Sequence, residues 1–583
     1  MAPLSASLPL PSSLATGFSF FSHALAYFAL YVVLKIAYKT FIAPRFSSLR
    51  SIPGPKLTSA WSGALGEMCE AAPGVAFNNW RRRFGDLVRF RTIFGQEALV
   101  LTDPTALNHV LVTRSYDYVK PGISRMALGA VTGPGIFLAE GDVHRRQKKL
   151  MLPAFSPAHL RDLSYIVFDK TNEMIDKWTK LAENSTVEEK TYKTEELRQQ
   201  AQQTAKPNEA VLEVHSWLSA LTLDVIGLAG FGYKFDTLSA NSSTLSNSWQ
   251  CMSARVSSKP TPIKLLLTLL ILTLKHVGRR FDVERFIPNE RVQSDRRLLQ
   301  ALEEESRRIM VDKQKVVEAE GKESMDESKD LIAILLRANW GEAKAPLSPE
   351  ELRAALTTFL LAGHETSSNQ VSWALYYFCR TPRVHDKLRE EVRAAQADGE
   401  LDWTAIDKLE YLDAVVHEIL RFEPVAPTAR REATTDDVLP LSKPVQSATD
   451  PSKSISSVPI KKGQQLFLPV YAVHRNPDVY GEDADEFRPE RWLETDEEGH
   501  KKIKGTGMYG VMTFLNGPRG CIGYRLAIME VKIMLALLLS KFTFSLREPD
   551  MRAERRAELI TRSLIVGEEE MGPRMVLRVG LAK

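Results

Sequence analysis

Apolar residues recur at helical spacing through most of the chain between residues 140 and 440. The longest amphipathic segments lie near 212–230, 291–318, 349–380 and 405–422. Shorter alternating or apolar runs at 87–90 and 98–101 are bounded by Gly or Asp-Pro turns, which is typical of strands. The pattern therefore predicts a mainly α-helical protein with a small β region.

The amino-terminal segment has a different pattern. Residues 14–34 carry no formal charge over about 21 positions, roughly the length that a helix needs to cross a bilayer. Basic residues follow this run, and the positive-inside rule then places the carboxyl-terminal body in the cytoplasm. We predict a lumenal tail at 1–13, a transmembrane anchor at 14–34, a basic, Pro-rich hinge at 35–55 and one large domain at 56–583.

Two apolar segments admit more than one interpretation. Ala24-Leu25-Ala26 has the small-x-small pattern of a cleavage site, so 14–34 could be a cleavable signal peptide, or a buried core helix. The run continues past Ala26 and no basic residue precedes it, which favours the anchor. The apolar run at 263–274 is too short to span a bilayer, and it is either a core helix or a segment that dips into a membrane surface.

Composition narrows the class of protein. The chain has 583 residues, 44% of them hydrophobic and 25% charged, with a net charge of +4, which is ordinary for a globular protein and gives no reason to expect a nucleic-acid partner. Its cysteines are Cys69, Cys251, Cys379 and Cys521, without a CxxC pair. This spacing argues against a disulfide framework and against a Cys-rich zinc site.

Cys521 lies in a segment with unusual chemistry. Gly517 and Gly523 permit turning and close backbone approach, and an apolar helical run follows at 526–542. We therefore expect the sulfur at a helix amino terminus, where N–H groups stabilise a thiolate. A thiolate on iron favours cleavage of the O–O bond, whereas the alternative is a buried, inert cysteine.

The pattern Phe514-x-x-Gly517-x-Arg519-x-Cys521-x-Gly523 resembles the haem-binding signature of the cytochrome P450 family. The resemblance extends over about residues 50–583 and implies the fold of that family behind one amino-terminal transmembrane helix. It implies that Cys521 is the axial ligand of the iron of haem b, that Phe514 packs beside the sulfur, and that Arg519 pairs with a haem propionate.

A long helix is predicted to begin at Ser348-Pro-Glu-Glu351, which is a capping box with proline at the first helical position. Within this helix, Ala362-Gly-His-Glu-Thr366 resembles the oxygen-binding stretch of the family. Reduction of dioxygen consumes protons, so a hydroxyl and a carboxylate have an evident task there. Thr366 and Glu365 are the candidate catalytic residues, as a proton relay.

Further motifs fall in the order that the family shows. Glu418-x-x-Arg421 and Phe487-Arg-Pro-Glu-Arg-Trp492 resemble its E-x-x-R and F-x-P-x-R-W motifs, which implies a buried structural network of Glu418, Arg421 and Arg491. The resemblance also implies three more propionate-binding residues, His144, Lys148 and Arg431.

The resemblance implies a haem-thiolate monooxygenase that hydroxylates or epoxidises an apolar, lipid-like or natural-product substrate with O2. By family analogy, the loop from Tyr118 to Phe137, the run at 263–274 and positions near Phe359 line the pocket. The resemblance implies that electrons come from NADPH through a cytochrome P450 reductase, and since no GxGxxG fingerprint is evident, we expect that reductase to be a separate protein. The chain resembles eukaryotic microsomal members, which implies the endoplasmic reticulum membrane, and its motifs at 141–147 and 362–366 are similar to fungal relatives.

Other functions remain open at this point. A haem isomerase or dehydratase of the same fold would need no reductase, and the acid-Thr pair argues against it. A non-catalytic haem sensor or carrier would need no proton relay. The basic side chains of Arg145, Arg146 and Lys149 are either a solvated face or a docking patch for an acidic electron donor.

Overall fold

The computed structural model describes residues 37–59, 62–189, 191–239, 290–320, 330–340, 345–557 and 560–582, with isolated positions between 23 and 35. Most of the predicted anchor and the whole run at 263–274 lie outside these residues. Within the described part, Val214–Phe231 is a helix long and apolar enough to cross a bilayer, but 72% of it is buried inside the protein. That burial identifies a core helix.

Helices form most of the described chain, as predicted. They are α1 (Leu65–Glu70), α2 (Val75–Phe84), α3 (Pro104–Asn108), α4 (Gly122–Thr132), α5 (Gly141–Met151), α6 (Pro157–Glu183), α7 (Glu195–Gln203), α8 (Val214–Phe231), α9 (Glu290–Glu320), α10 (Leu331–Trp340), α11 (Pro349–Arg380), α12 (Pro382–Asp398), α13 (Trp403–Asp407), α14 (Glu410–Phe422), α15 (Val470–Val473), α16 (Pro477–Tyr480) and α17 (Tyr524–Lys541).

The strands are short and form small sheets. They are β1 (Leu87–Arg91), β2 (Glu97–Leu101), β3 (Tyr118–Val119), β4 (Glu209–Glu213), β5 (Ala429–Ala433), β6 (Asp437–Gln446), β7 (Ser454–Ile460), β8 (Gln465–Leu468), β9 (Phe542–Leu546), β10 (Ala553–Ala557), β11 (Thr561–Ile565) and β12 (Val576–Leu581). The largest sheet has the order β1-β2-β8-β5-β3, in which β2 and β8 are parallel, and a second has the order β4-β12-β9. Two hairpins, β6-β7 and β10-β11, complete the described β structure.

Helix α11 runs through the core of the protein. The Ser348 hydroxyl accepts a hydrogen bond from the Glu351 N–H, and the Glu351 carboxylate accepts one from the Ser348 N–H at 2.9 Å, so the predicted capping box is formed. The helix then packs against α8, α9 and α17 through Leu356, Leu360 and other buried side chains. This packing fixes the middle of α11 relative to α17, the helix that follows Cys521.

The predicted element boundaries differ from the observed ones where pairing is non-local. The segment predicted as a helix near 212–230 begins inside β4, because Leu212 pairs with Leu577 of β12. The predicted helix near 405–422 is divided into α13 and α14. At the start of α14, the Glu391 carboxylate of α12 accepts from the backbone N–H groups of Tyr411 and Leu412. In both places a tertiary contact, which local periodicity does not contain, sets the boundary.

Candidate active site

The segment before Cys521 is a tightly turned loop. Two short 3-10 turns, Met512–Phe514 and Gly517–Arg519, lead into it, and the Cys521 N–H donates to the Phe514 carbonyl at 2.9 Å. Gly517 has a φ of +69°, and a Cβ there would lie only 2.3 Å from the carbonyl oxygen of Leu111. Only glycine therefore fits at position 517 without displacing the neighbouring backbone.

The side chains near the thiol come from three elements. The Phe514 ring is buried and lies 6.0 Å from the ring of Tyr524, at the start of α17. Lys148, on α5, donates to the Pro518 carbonyl at 2.6 Å. Gly523 is the residue that caps α17, and a Cβ there would be 3.6 Å from the Phe155 ring. The loop is thereby held between α5 and α17.

Cys521 is exposed as a residue, although protein atoms surround its sulfur. This crowding raises the pKa of the thiol, against the opposing effects of the Gly523 N–H and the Lys148 ammonium. The Gly523 N–H at the start of α17 favours the thiolate, as expected from the sequence, but burial opposes it. A metal cation produces the thiolate directly, because a coordinating thiol is deprotonated.

Basic side chains gather beside the loop, and we call Lys120, His144, Arg431 and Arg519 the basic cluster. Burial, with added repulsion from Arg519 and Arg431, lowers the pKa of Lys120 to about 8. The same two causes, burial and the Arg519 charge, lower the pKa of Arg431 to about 10. Burial and the surrounding cations lower the pKa of His144 to about 4, so that its ring is neutral.

One carboxylate faces this cluster among the described residues. Glu140 forms an ion pair with Arg519 and accepts a hydrogen bond from the Lys120 backbone N–H at 2.9 Å. Arg519 also donates to the carbonyls of Ser115 at 3.0 Å and Tyr118 at 2.7 Å, yet its buried Nε has no hydrogen-bond partner. The cluster has more positive than negative charge, which suits a ligand that carries carboxylates.

On α11, the two candidate relay residues turn to different partners. The Thr366 hydroxyl donates to the Ala362 carbonyl at 2.7 Å, and these two half-buried residues share one helix face. Glu365 is buried, and its carboxylate accepts from Arg562 Nε of β11 at 3.0 Å. His364 Nε2 lies 2.6 Å from the Ser219 hydroxyl of α8. The hydroxyl is therefore on the accessible face, and the carboxylate is in an ion pair.

The structure brings Glu418, Arg421 and Arg491 together in a fully buried network. Arg421 donates to both carboxylate oxygens of Glu418 at 2.8 Å, and Arg491 Nε donates at 3.1 Å. Burial alone would raise the pKa of Glu418, but the two guanidinium groups outweigh it and hold this pKa below its ordinary value. The Trp492 indole and the Arg488 backbone N–H also donate to the carboxylate. The network fixes α14 against the segment before the cysteine loop.

Lys120 and Glu140 belong to the site, but the sequence motifs did not identify them. Lys120 falls within the loop from Tyr118 to Phe137 that was predicted to line the pocket, and this position was the one indication in the sequence that Lys120 belongs to the site. Glu140 precedes α5 and meets Arg519 across 379 positions of sequence. A single acidic residue at that distance has no local pattern that would reveal the contact.

Comparison with known proteins identifies the family to which this site belongs. The cytochrome P450 family model matches residues 53–564, so the chain belongs to the cytochrome P450 family. It is a cytochrome P450 monooxygenase, and the cofactor of the family is a haem whose iron is ligated by cysteine. The cysteine loop and the basic cluster fit that cofactor, since they offer a thiol for the iron and cations for two carboxylates.

Its relatives include fungal monooxygenases. The chain is 31% identical over 547 residues to cytochrome P450 monooxygenase 205 of Postia placenta, with 91% of this chain and 93% of the relative covered. It is 30% identical over 531 residues to cytochrome P450 monooxygenase claP of Ampulloclitocybe clavipes, with 90% and 92% covered. It is 29% identical over 536 residues to cytochrome P450 monooxygenase sphH of Aspergillus fumigatus, with 90% and 88% covered.

Proposed function

We propose that this monooxygenase inserts one atom of dioxygen into a small apolar substrate, a lipid or a natural product, and reduces the other atom to water. Two electrons from NADPH, passed on by a separate cytochrome P450 reductase, and two protons complete the balance. The observation that carries this proposal is the position of Cys521, a solvent-accessible residue two positions after Arg519 of the buried, positively charged basic cluster.

Each group on the chain has a task in this reaction. Bound haem supplies an iron on which a thiolate favours O–O cleavage. Cys521 would ligate that iron, and the basic cluster with Lys148 would hold the propionates. The Thr366 hydroxyl, whose Oγ1 lies 2.7 Å from the Ala362 carbonyl oxygen, would pass protons on the accessible face of α11. Glu365 would reach this path only by leaving Arg562, so its part in the relay stays a prediction.

An apolar substrate is supported by the side chains around α11. The Phe155 and Phe359 rings meet edge to face with centroids 5.5 Å apart. Helix α4, from the loop predicted to line the pocket, also packs against α11. Apolar and aromatic walls of this kind favour substrates without charge.

Membrane attachment is supported by exposed apolar residues near the amino terminus. Tyr38, Phe41, Ile42 and Phe46 are each exposed, Phe46 to 83%. Such side chains next to a predicted anchor suit a lipid surface. We propose a single-pass protein of the endoplasmic reticulum membrane with its catalytic domain in the cytoplasm.

The direct test uses the full chain in membranes. The protein is reduced under carbon monoxide, and NADPH, reductase and a library of apolar compounds are then supplied. We expect a Soret band of the thiolate type and an oxygenated product that requires NADPH. A thiolate band with no such product from any compound would contradict the monooxygenase proposal and leave an isomerase or a sensor.

The reductase partner has a separate test. Arg145 pairs with Asp142 and Arg146 with Glu351, so their charges are partly satisfied, whereas Lys149 is exposed. We expect Lys149→Glu to slow reduction by reductase severalfold at low salt and hardly at high salt. An unchanged reduction rate at low salt would exclude docking at this face.

The location can be tested in microsomes that contain the full chain. We expect the protein to resist extraction by alkaline carbonate and to be digested by protease added outside. Extraction into the carbonate supernatant would contradict the anchor, and protection from protease would contradict the cytoplasmic orientation.

A further inference from the structure

His474 follows α15 and is fully buried between two parts of the candidate active site. Its Nδ1 lies 2.8 Å from the carbonyl oxygen of Arg421, in the last turn of α14. Its Nε2 lies 2.8 Å from the backbone nitrogen of Met512, where the first turn of the cysteine loop begins. One imidazole therefore connects the helix of the buried network to the loop of the thiol.

The two partners determine which nitrogen of His474 carries the proton. A backbone carbonyl only accepts, so Nδ1 must donate, and a backbone N–H only donates, so Nε2 must accept. The ring is consequently the neutral Nδ1–H tautomer. Burial, together with the charges of Arg421 and Arg475, holds the pKa of His474 well below its ordinary value, which agrees with a neutral ring.

The connection is reinforced on the helix side. Arg421 Nη1 donates to the carbonyl of His474 itself at 2.7 Å, so the two residues exchange hydrogen bonds. The Arg421 side chain is at the same time fixed by Glu418. His474 is therefore held rigidly on the side of α14 and can transmit that position to Met512.

The loop side needs such a constraint. Leu515 has a φ of +56°, a conformation that a residue with a side chain adopts only when its surroundings impose it. The Phe514 carbonyl beside it receives the Cys521 N–H. A second link to α14 exists at Thr513, whose hydroxyl donates to the Leu420 carbonyl at 2.5 Å. His474 and Thr513 together fix the Met512–Phe514 turn, whose Phe514 carbonyl accepts the Cys521 N–H.

We propose that His474 is a positioning residue, which ties the Met512–Phe514 turn to the end of α14 and thereby sets the place of Cys521 relative to the haem iron. The proposal rests on Cys521 being the haem ligand. Both ring nitrogens of His474 are bonded to main-chain groups, so it acts through the backbone of the loop.

Two substitutions separate the two hydrogen bonds. His474→Phe fills a similar volume and removes both bonds. His474→Asn can keep the donor to Arg421, since the Asn amide nitrogen takes the place of Nδ1, but it does not reach Met512. His385→Phe is the matched control, because His385 is also buried but lies on α12.

The readout is the state of the iron ligand in the membrane-bound full chain. In the reduced carbon monoxide complex of the haem-bound fraction, the ratio of thiolate-type to thiol-type Soret absorbance is measured, together with the haem reduction potential. We expect both His474 variants to lower the thiolate ratio about tenfold and to shift the potential, since each leaves the buried Met512 N–H without a partner. His385→Phe should keep the ratio within about twofold of the unsubstituted protein, even if less protein folds.

A wild-type ratio and potential in the haem-bound fraction of either His474 variant would overturn the proposal. A lower yield of haem-bound protein with an unchanged ratio would show a role in folding alone, and would also overturn it. If the unsubstituted protein lacks a thiolate-type band, then Cys521 is not the ligand, and the failure belongs to the proposed function.

Discussion

The two sides of the candidate active site are held in different ways. On the cysteine side, the side chains of His474, Lys148 and Arg519 bind main-chain groups, so the path of the loop is fixed. On the α11 side, Thr366 bonds only within its own helix among the contacts described, and its face stays half-buried. The contrast indicates that the position of the cysteine loop is over-determined, whereas the Thr366 side chain is held only by its own helix among the contacts described.

The largest effect should come from removing the thiol. Cys521→Ser should lower monooxygenase activity by at least about a thousandfold and abolish the thiolate-type Soret band, because a serine hydroxyl does not replace the thiolate. Carbon monoxide difference spectra and product assays measure both effects. The control is Cys379→Ser, which should leave both unchanged, because the Cys379 thiol donates to the Leu375 carbonyl within α11. A thiolate-type band that survives in Cys521→Ser would assign the ligand to another cysteine.

Breaking the buried network should destabilise the cysteine side. Arg421→Ala removes the guanidinium that donates to both carboxylate oxygens of Glu418, a charged side chain that is 0% exposed. We expect a loss of about 3–5 kcal/mol in the free energy of unfolding. The control is another i,i+3 pair, Arg145 with Asp142, whose side chains are 54% and 94% exposed. Arg145→Ala should cost under about 1 kcal/mol. Equal losses in denaturant titrations of the two variants would contradict the structural role of the network.

A smaller effect is expected on the α11 side. Thr366→Val keeps the shape of the side chain but removes the hydroxyl, so we expect product formed per NADPH oxidised to fall about tenfold. Thr171→Val is the control, since the Thr171 hydroxyl makes the same type of bond, to the Val167 carbonyl at 2.6 Å in α6. Coupling that is unaltered in Thr366→Val would remove Thr366 from the proton path.

The smallest effect is expected on the pH dependence of stability, from Glu530. This residue links α17, which follows the cysteine loop, to α11. This carboxyl is buried in α17, accepts a hydrogen bond from Ser367 of α11, and has its pKa raised by burial to about 8. The folded protein therefore keeps a proton that the unfolded chain has lost above about pH 5, so stability falls as pH rises toward 8. Glu530→Gln does not ionise, and between pH 7 and pH 8 it should lose about 1 kcal/mol less stability than the unsubstituted protein.

Chemical denaturation at both pH values measures this difference. Glu554→Gln, at an exposed position of β10, should leave the pH dependence unchanged. Parallel stability profiles for Glu530→Gln and the unsubstituted protein would show that Glu530 ionises normally in the fold.

Local signals were sufficient for some parts of this molecule. The capping box at Ser348 and the pair of Glu418 with Arg421 involve residues three apart, and the contacts that they predict are formed. The partner of Glu365 could not be predicted, because Arg562 lies 197 positions away and reaches it through the packing of β11 on α11. The link through His474 could not be predicted either. Its partners, the Arg421 carbonyl and the Met512 N–H, are distant in sequence, and every residue has such backbone groups, so no motif indicates the contact.

The close approach of Gly517 to the Leu111 carbonyl has a practical consequence for altering substrate range. Any side chain at position 517 would push the ligand loop away from the turn at His109–Thr113. Libraries that vary the enzyme should therefore leave 508–523 constant. If the proposed pocket is correct, the substitutions that they sample belong in α4 and on the amino-terminal half of α11, which lie outside this loop.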